Sequence, residues 1–193
     1  MDSKSFKLNT NWICWYHDPY NKQWSIDSYV QLYRLETIYN VGVFNNSLKS
    51  VLPKLEKGMY FIMRVLENDD YIYPIWEDKN NKNGGIWSFK INNVLINKIW
   101  NDLMVYLLGE NILTNSDNYN LINGISVSPK RNFVILKIWS TKKIEKNEFN
   151  TDLKKILNFD EGIYKNHNMN IEKDGIKKTS VKTNKKTNKK RYF

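Results

Sequence analysis

The sequence predicts an α+β domain with a mainly antiparallel β-sheet. Five short runs are rich in β-branched and aromatic residues and are bounded by Asn, Gly, Asp or Pro, which is typical of strands. These runs cover residues 12–16, 60–65, 86–91, 121–127 and 133–139. Strands and helical patterns do not alternate strictly along the chain. A doubly wound parallel fold is therefore disfavoured.

Helical patterns follow two of these strands. In residues 93–108 an apolar residue recurs every four positions, at Leu95, Ile99, Leu103 and Leu107. We expect Asn92 or Asn93 to cap this helix and Gly109 to end it. Residues 148–157 fit a shorter helix with one apolar face. Residues 36–46 fit a third helix, although Gly42 weakens it.

The net charge of +10 is unevenly distributed along the chain. Residues 165–193 hold ten Lys or Arg and two acidic residues, so this segment carries +8 of the total. It has few apolar residues, so burial cannot offset the entropy cost of ordering it. We therefore divide the chain into a flexible N-terminal segment, 1–10, a folded domain, 11–164, and a basic, flexible C-terminal segment, 165–193.

Two absences in the sequence bear on where the protein works. No run of about 18 apolar residues is present, as a transmembrane helix would need. The N-terminal residues lack the apolar core of a signal peptide, which a secreted protein would carry. We expect a cytoplasmic protein, in the host cytoplasm if the source is a virus, that does not associate with membranes.

Residues that support catalysis or metal binding are scarce. Cys14 is the one cysteine, which excludes an intramolecular disulfide and a cysteine-based zinc cluster. His17 and His167 lie in segments predicted as loops, and a catalytic pair with Cys14 is better explained as coincidence. The Gly84-Gly85 pair lacks the Lys-Ser or Lys-Thr of a phosphate-binding loop and predicts a turn. We expect no catalytic residue, no metal and no cofactor.

The seven tryptophans carry more information than the charge. Most fall in predicted strands or helices, where an indole is expected in the core. Trp24 and Trp76 differ because each lies at the edge of a polar loop. Trp76 is followed directly by the carboxylate of Glu77. An indole at a loop edge beside a carboxylate is suited to bind a planar, positively charged base.

Several motifs in a fixed order then resemble one known family. The motifs are W-I-C-W-Y at 12–16 with Trp24 after it, P-I-W-E-D and N-G-G-I-W at 74–78 and 83–87, Trp100 with L-L-G-E at 107–110, and the segment 124–139 ending in I-W. Together they resemble the eukaryotic translation initiation factor 4E family, which binds the 7-methylguanosine cap of messenger RNA. The resemblance covers about residues 11–139, and more weakly the last helix.

The resemblance implies a fold and a base-binding site. The fold is a curved, mainly antiparallel sheet with three helices packed on its convex face and a cap-binding slot on its concave face. Trp24 and Trp76 would stack on the two sides of the methylated guanine. Glu77 would accept hydrogen bonds from the Watson–Crick edge of the base, and Trp139 would lie beside the methyl group.

For the cap phosphates, the resemblance implies a thinner set of positive charges than the family has. Lys130 occupies a family arginine position and keeps the charge without the bidentate fork. A family lysine falls at Ile135, and a further family arginine at Ile86. Lys137, two residues after Ile135, points to the same strand face and is the expected substitute. Arg131 is a weaker candidate because strand alternation turns it away.

The family's second working surface is its helical face, where a scaffold factor of the 4G type and small repressors dock. The family's central docking tryptophan aligns with Gly42, and a family leucine with Asn101. Phe44 is a candidate replacement anchor, and a different partner altogether is the alternative. The candidate docking residues are Ile38, Val41, Gly42, Phe44, Asn101, Asp102 and Val105.

The resemblance thus implies a monomeric, non-enzymatic protein that binds capped messenger RNA and supports translation initiation. Two alternatives remain open. The first is a cap-binding repressor or competitor that does not engage the scaffold factor. The second is a general single-strand RNA-binding module that uses aromatic platforms and the basic tail.

Overall fold

Residues 6–168, which the computed structural model describes, form a curved sheet of seven strands in which every pairing is antiparallel. The strands are β1 (Lys7–His17), β2 (Tyr29–Thr37), β3 (Met59–Arg64), β4 (Gly85–Asn92), β5 (Ile122–Pro129), β6 (Phe133–Ser140) and β7 (Ile163–Asn166). Their order across the sheet is β2-β1-β3-β5-β6-β4-β7. The α-helices are α1 (Ile38–Ser50), α2 (Ile96–Leu108) and α3 (Thr151–Ile156).

The convex face of the sheet packs against these helices and forms the larger core. Strand residues of alternate positions, such as Ile62 and Leu136, point into it and are fully buried. Each helix contributes at least one fully buried residue, namely Phe44 of α1, Trp100 of α2 and Leu153 of α3. Burying one such side chain stabilises the fold by about 1.5–3 kcal/mol.

The concave face carries a second, separate apolar cluster. Its fully or almost fully buried members are Ile13, Trp15, Tyr29, Met59, Phe61, Met63, Val65, Ile72, Ile86 and Trp139. Strand β3 contributes to both clusters, which is why all six of its residues are buried. Because side chains alternate along a strand, residues of β3 and β6 alternate between the helix core and this concave cluster.

The helix ends explain where the sequence-based boundaries were wrong. Helix α1 begins at a capping box, in which the Asn40 N–H donates to Thr37 Oγ1 and the Thr37 N–H donates to Asn40 Oδ1, 3.0 Å. Neither Asn92 nor Asn93 caps α2: Leu95 is its N-cap residue, and Asn92 Oδ1 instead accepts from the Val94 N–H, 3.0 Å. Gly109 ends α2 as expected.

The third helix is shorter than its apolar pattern indicated. Asn150 caps α3 by accepting from the N–H groups of Asp152 and Leu153, so the helix begins at Thr151 rather than at residue 148. Residues 146–148 form a separate 3₁₀ turn before it. The side chain of Asn150 therefore decides the boundary, since an Asn that bonds nearby N–H groups favours a helix start over a helix interior.

All five predicted strands are confirmed, with ends that shift by at most five residues. Strands β2 and β7 were missed. Both are edge strands of the sheet, and each mixes polar and apolar residues because one side of an edge strand faces water. Without a continuous apolar run, neither gives a clear strand signal in the sequence.

The predicted domain boundaries also move. Lys7 pairs with Thr37 and Asn166 pairs with Gly85, so residues 7–10 and 165–166 belong to the sheet and not to the flexible segments. Backbone hydrogen bonding to a neighbouring strand orders these ends despite their polar side chains. The remaining parts of the two predicted flexible segments, 1–5 and 169–193, lie outside the described residues.

Residues 6–168 contain neither a candidate transmembrane helix nor a candidate metal-binding cluster. No helix in this range is long and apolar enough to span a membrane. In the same range, no group of three or more His, Cys, Asp or Glu side chains is arranged to hold a metal ion.

Candidate functional site

The Trp24 indole lies in the loop between β1 and β2 and stacks on His17, the last residue of β1. The rings of Trp24 and His17 are parallel within 2°, with centroids 4.3 Å apart. His17 is fully buried and donates from Nε2 to the Gln23 carbonyl oxygen, 2.8 Å. Trp24 itself is 53% exposed. One face of the indole is thus supported by the protein while much of its surface stays open to solvent.

The Trp76 indole lies in the loop between β3 and β4, which is held by its own side chains. Asp78 accepts hydrogen bonds from the backbone N–H groups of Tyr73 and Asn80, at 3.1 and 2.8 Å. The buried amide of Asn81 donates to the carbonyl oxygens of Tyr73 and Ile75, at 2.8 and 2.9 Å. These bonds fix the backbone on both sides of Trp76 before any ligand binds.

A residue of the sheet braces this loop from below. Asn123 of β5 is 1% exposed, and its Nδ2 donates to the Asn80 carbonyl oxygen and to Asn81 Oδ1, both at 2.9 Å. The neighbouring Gly84 is pressed against the end of β6, where an added Cβ would lie 1.8 Å from the Ser140 carbonyl oxygen. The Gly84-Gly85 pair is therefore required by close backbone packing as well as by a turn.

The carboxylate of Glu77 is exposed and has no hydrogen bond or ion pair with any residue of the described range. Burial, followed by the nearby charge of Glu77, raises the pKa of the Tyr29 phenol. Tyr29 in turn packs on His17, with ring centroids 4.8 Å apart. Glu77 therefore lies near the Trp24 side of the site, with its acceptor oxygens free for a ligand.

Trp139 forms a buried floor rather than an open platform. It is 1% exposed, and its Nε1 donates to Ser126 Oγ, 2.9 Å. The Phe61 ring meets it edge-on at 6.2 Å, and the His167 ring stacks on it at 5.0 Å. His167 also lies 6.4 Å from the Trp76 ring at an interplanar angle of 29°. The imidazole therefore connects two of the three tryptophans that the sequence singled out.

The structure puts Lys137 on the same face as Trp139, since the two are separated by one residue in β6. Its pKa is lowered to about 8, first by burial and then by the charges of Lys130 and Lys165. Lys130 lies at the β5–β6 turn, where its N–H donates to the Phe133 carbonyl oxygen, 2.8 Å. Arg131, the weaker candidate, is exposed in the same turn.

Lys165, His167 and Asn123 were not recognised as site residues in the sequence. His167 was placed in a loop, but it directly follows β7 and is fully buried. Only the pairing of β7 with β4 brings Lys165 and His167 to the concave face. A catalytic pair of Cys14 with either histidine is excluded, because Cys14 belongs to the helix core on the other side of the sheet.

The candidate docking residues on the helices divide into exposed and buried ones. Ile38 and Val105 are 50% and 72% exposed, and an added Cβ on Gly42 meets nothing within 4 Å. Val41 is half-buried and Asn101 is exposed. Asp102 is bound to Lys98 at 2.6 Å.

The expectation that Phe44 replaces the docking tryptophan is wrong. Phe44 is 0% exposed and packs against the rings of Tyr33 and Tyr60, with centroids 5.7 and 6.4 Å away. Its position on α1 turns it toward the sheet, so it stabilises the core and is not available to a partner.

Comparisons with known proteins agree with this geometry. A family model described as "Eukaryotic initiation factor 4E" matches residues 7–186. The eukaryotic translation initiation factor 4E of Eremothecium gossypii is 28% identical over 171 residues, which cover 83% of this chain and 77% of that protein.

Two solved structures share the fold. One is a complex of C. elegans eIF4E-3 with the 4E-binding protein Mextli and a cap analogue, at a TM-score of 0.68 and 20% identity, covering 84% of this chain and 92% of that one. The other is Ascaris suum eIF4E-3 with an m2,2,7G cap, at a TM-score of 0.67 and 20% identity, covering 84% and 91% of the two chains.

Proposed function

This chain belongs to the eukaryotic initiation factor 4E family, and we propose that it binds the 7-methylguanosine cap of messenger RNA and thereby supports translation initiation. The observation that carries the proposal is the pair of loop tryptophans, Trp24 and Trp76. The carboxylate of Glu77 lies next to one of them and has no partner among residues 6–168. Solved structures that share this fold include eIF4E-3 proteins bound to a cap or a cap analogue.

The methylated base would stack between Trp24 and Trp76. Methylation at N7 gives the guanine a positive charge, and the face of an indole attracts a cation by about 0.5–2 kcal/mol. Trp24 is well suited to one side because His17 supports it from behind and more than half of its surface is exposed. Trp76 would close the other side when the ligand is bound.

Glu77 would select guanine. Guanine presents two adjacent N–H donors on its Watson–Crick edge, and an ionised carboxylate accepts both in a charge-assisted pair. Adenine lacks this pair of donors, so it would leave the carboxylate unsatisfied. The methyl group would face Trp139, while Lys130 and Lys137 would attract the phosphates.

This function is recognition without a chemical step. Stacking, two hydrogen bonds and charge attraction are sufficient to bind the cap, and none of them breaks a bond in the ligand. We therefore propose a binding protein rather than an enzyme, one that needs no cofactor.

The exposed part of the helical face would dock a partner protein. In the C. elegans complex the eIF4E-3 protein is bound to the 4E-binding protein Mextli. On this chain, Ile38, Gly42 and Val105 would form the docking surface, with a scaffold factor of the 4G type or a replacement partner as the occupant. We expect the protein to bind this partner in the cytoplasm, where messenger RNA is translated.

A second candidate function is a cap-binding repressor that does not engage the scaffold. It is favoured by Gly42, where no side chain is available to a partner, and by the burial of Phe44. A pull-down with a scaffold-derived helical peptide separates the two functions. Tight docking contradicts repression, and loss of docking with cap binding intact supports it.

Calorimetric titration with 7-methyl-GTP, with GTP as the control ligand, tests the cap proposal. We expect binding of 7-methyl-GTP alone, and loss of binding in Trp24→Ala, Trp76→Ala and Glu77→Gln. The matched controls are Tyr20→Ala, an aromatic residue 90% exposed in the Trp24 loop, and Glu67→Gln, an exposed carboxylate before the Trp76 loop. Equal affinity for GTP would favour a general RNA-binding module, and full affinity in the Trp76 and Glu77 variants would contradict the site.

A further inference from the structure

The last strand, β7, extends the concave face beyond the residues that the sequence pointed to. In the sheet register Ile86 of β4 pairs with Trp139 on one side and with Lys165 on the other. Directly paired residues of neighbouring strands project to the same side of a sheet. Lys165 therefore shares a row and a face with Trp139, two strands away.

The neighbours of Lys165 in β7 fix this orientation. Tyr164 points to the opposite face, where its ring packs on Trp87 at 5.9 Å in the helix core. Lys165 is exposed, and the next residue of the same face, His167, stacks on Trp139. The N–H of His167 donates to the Gly84 carbonyl oxygen, 3.1 Å, which anchors the end of the strand beside the Trp76 loop.

The positive groups on this face have no anionic partner within the described part of the chain. Ion pairs between residues 6 and 168 engage other lysines, but none of them includes Lys130, Lys137 or Lys165. Lys137 has hydroxyl-bearing Ser126 and Ser88 as its cross-strand neighbours. Burial first, and then the charges of Lys130 and Lys165, lower the pKa of Lys137. Like charges gathered without a counter-charge favour an anionic ligand.

The buried imidazole of His167 is a second, independent sign of an incomplete site. It is 0% exposed, and neither of its ring nitrogens has a hydrogen-bond partner among residues 6–168. Buried polar atoms are normally paired, so an unpaired donor and acceptor close to the charge of Lys137 indicate a polar group that arrives from outside. Burial and the charge of Lys137 lower the pKa of His167 to about 4, which keeps the ring neutral at physiological pH.

We propose that β7 completes a polyphosphate subsite, in which Lys165 acts with Lys137 and Lys130 on the phosphate chain of the bound nucleotide. The inference rests on the proposed cap-binding function and adds to it the source of the phosphate affinity. Ile86 and Ile135 cannot supply charge, whereas Lys165, paired directly with Ile86, places an ammonium group on the same row of the sheet.

The test compares 7-methyl-GMP with 7-methyl-GTP by calorimetric titration of the full chain. We expect Lys165→Met to weaken 7-methyl-GTP binding by about two- to fivefold, the size of one solvent-exposed charge pair, with 7-methyl-GMP affected less. Lys165→Glu should reduce the preference for the triphosphate further. The matched control is Lys49→Met, an exposed lysine at the end of α1, which should change neither affinity.

Two further arms separate this inference from the proposed function. If neither methylated nucleotide binds, the cap proposal fails, but binding of inorganic tripolyphosphate that is weakened by Lys165→Met and not by Lys49→Met still supports the subsite. An unchanged triphosphate preference in both Lys165 variants overturns the subsite while leaving cap binding in place. A loss of uncapped oligonucleotide binding as large as the loss for 7-methyl-GTP also overturns it, because Lys165 would then contact RNA phosphates in general.

Discussion

Arg64 and Lys137 are two cations of one sheet that differ in their surroundings. The side chain of Arg64 is bonded to the protein, whereas that of Lys137 is not bonded to any residue of the described range. Arg64 is 6% exposed and donates to the carbonyl oxygens of Ile122 and Tyr119, at 2.9 and 2.8 Å, and to Thr10 Oγ1 at 2.9 Å. Its guanidinium lies over the Trp12 ring at 4.5 Å and 3.5 Å from a Glu110 oxygen.

Lys137 has none of these partners. The charged groups that act on it are Lys130 and Lys165. Burial, followed by these two charges, lowers the pKa of Lys137 to about 8. Removing the partners of a buried, paired cation such as Arg64, or the cation itself, destabilises the fold. The half-buried Lys137 has no counter-charge among residues 6–168, which favours a ligand that supplies one. Arg64 is therefore a structural cation, whereas Lys137 is a cation that we propose to belong to a binding site.

The largest expected effect is the loss of stability when Arg64, the structural cation, is replaced. Arg64→Met should lower the free energy of unfolding by about 3–5 kcal/mol, because it leaves the Glu110 carboxylate without its counter-charge and the carbonyl oxygens of Ile122 and Tyr119 without this donor. Urea denaturation followed by tryptophan fluorescence measures this. A loss below about 1 kcal/mol would remove the distinction between Arg64 and Lys137.

The next largest effect is a loss of stability at low pH, caused by protonation of His167. Its pKa is lowered to about 4 in the folded chain, whereas the unfolded value is about 6.5. As pH falls from about 6.5 to 4, the unfolded chain takes up the proton first, so stability should decrease by about 3 kcal/mol over that window. His167→Phe keeps an aromatic ring on Trp139 but cannot take up a proton. Its stability should therefore lack this decrease between pH 6.5 and 4. Urea denaturation at pH 7 and pH 4.5 of both proteins measures the difference, and equal pH dependence would contradict the assignment.

A smaller effect is expected from the brace under the Trp76 loop. Asn123→Ala removes the donors to Asn80 and Asn81, and leaving two buried acceptors unpaired costs about 1–3 kcal/mol. We expect lower stability together with weaker 7-methyl-GTP binding, because the loop is no longer held in position. Asn115→Ala is the control, since Asn115 is an exposed residue that bonds only within its own turn. Unchanged nucleotide affinity in Asn123→Ala would mean that the loop is held without the brace.

The smallest effect is the pH dependence of phosphate selectivity. Lys137 with a pKa of about 8 passes from mostly charged to mostly neutral between pH 7 and 9. Phosphate binds the charged form, so the preference for 7-methyl-GTP over 7-methyl-GMP should fall as pH rises through this range. Ionisation of the base cancels in the ratio of the two affinities. Lys137→Met should remove this pH dependence and leave stability unchanged or slightly higher, and a wild-type ratio that is constant from pH 7 to 9 would contradict the role.

The sequence predicted the five central strands and the centre of each helix. Its tryptophan motifs indicated the candidate base-binding residues. Their signals are local: an apolar period, a turn residue or a motif in a fixed order. The buried state of Phe44 was not predictable, because its side of α1 is set by packing against Tyr33 and Tyr60. The same holds for β2 and β7, whose edge positions leave no continuous apolar run.

The sequence by itself determined the family, the fold class and the base-binding candidates, because those depend on residue types at short spacings. Only the tertiary structure decided which charges meet. Lys137 and Lys165 are far apart in the chain, and strand pairing through β4 brings them to one face. His167 reaches Trp139 and Trp76 for the same reason. Long-range register, which no local pattern encodes, therefore assembles the proposed phosphate side of the site.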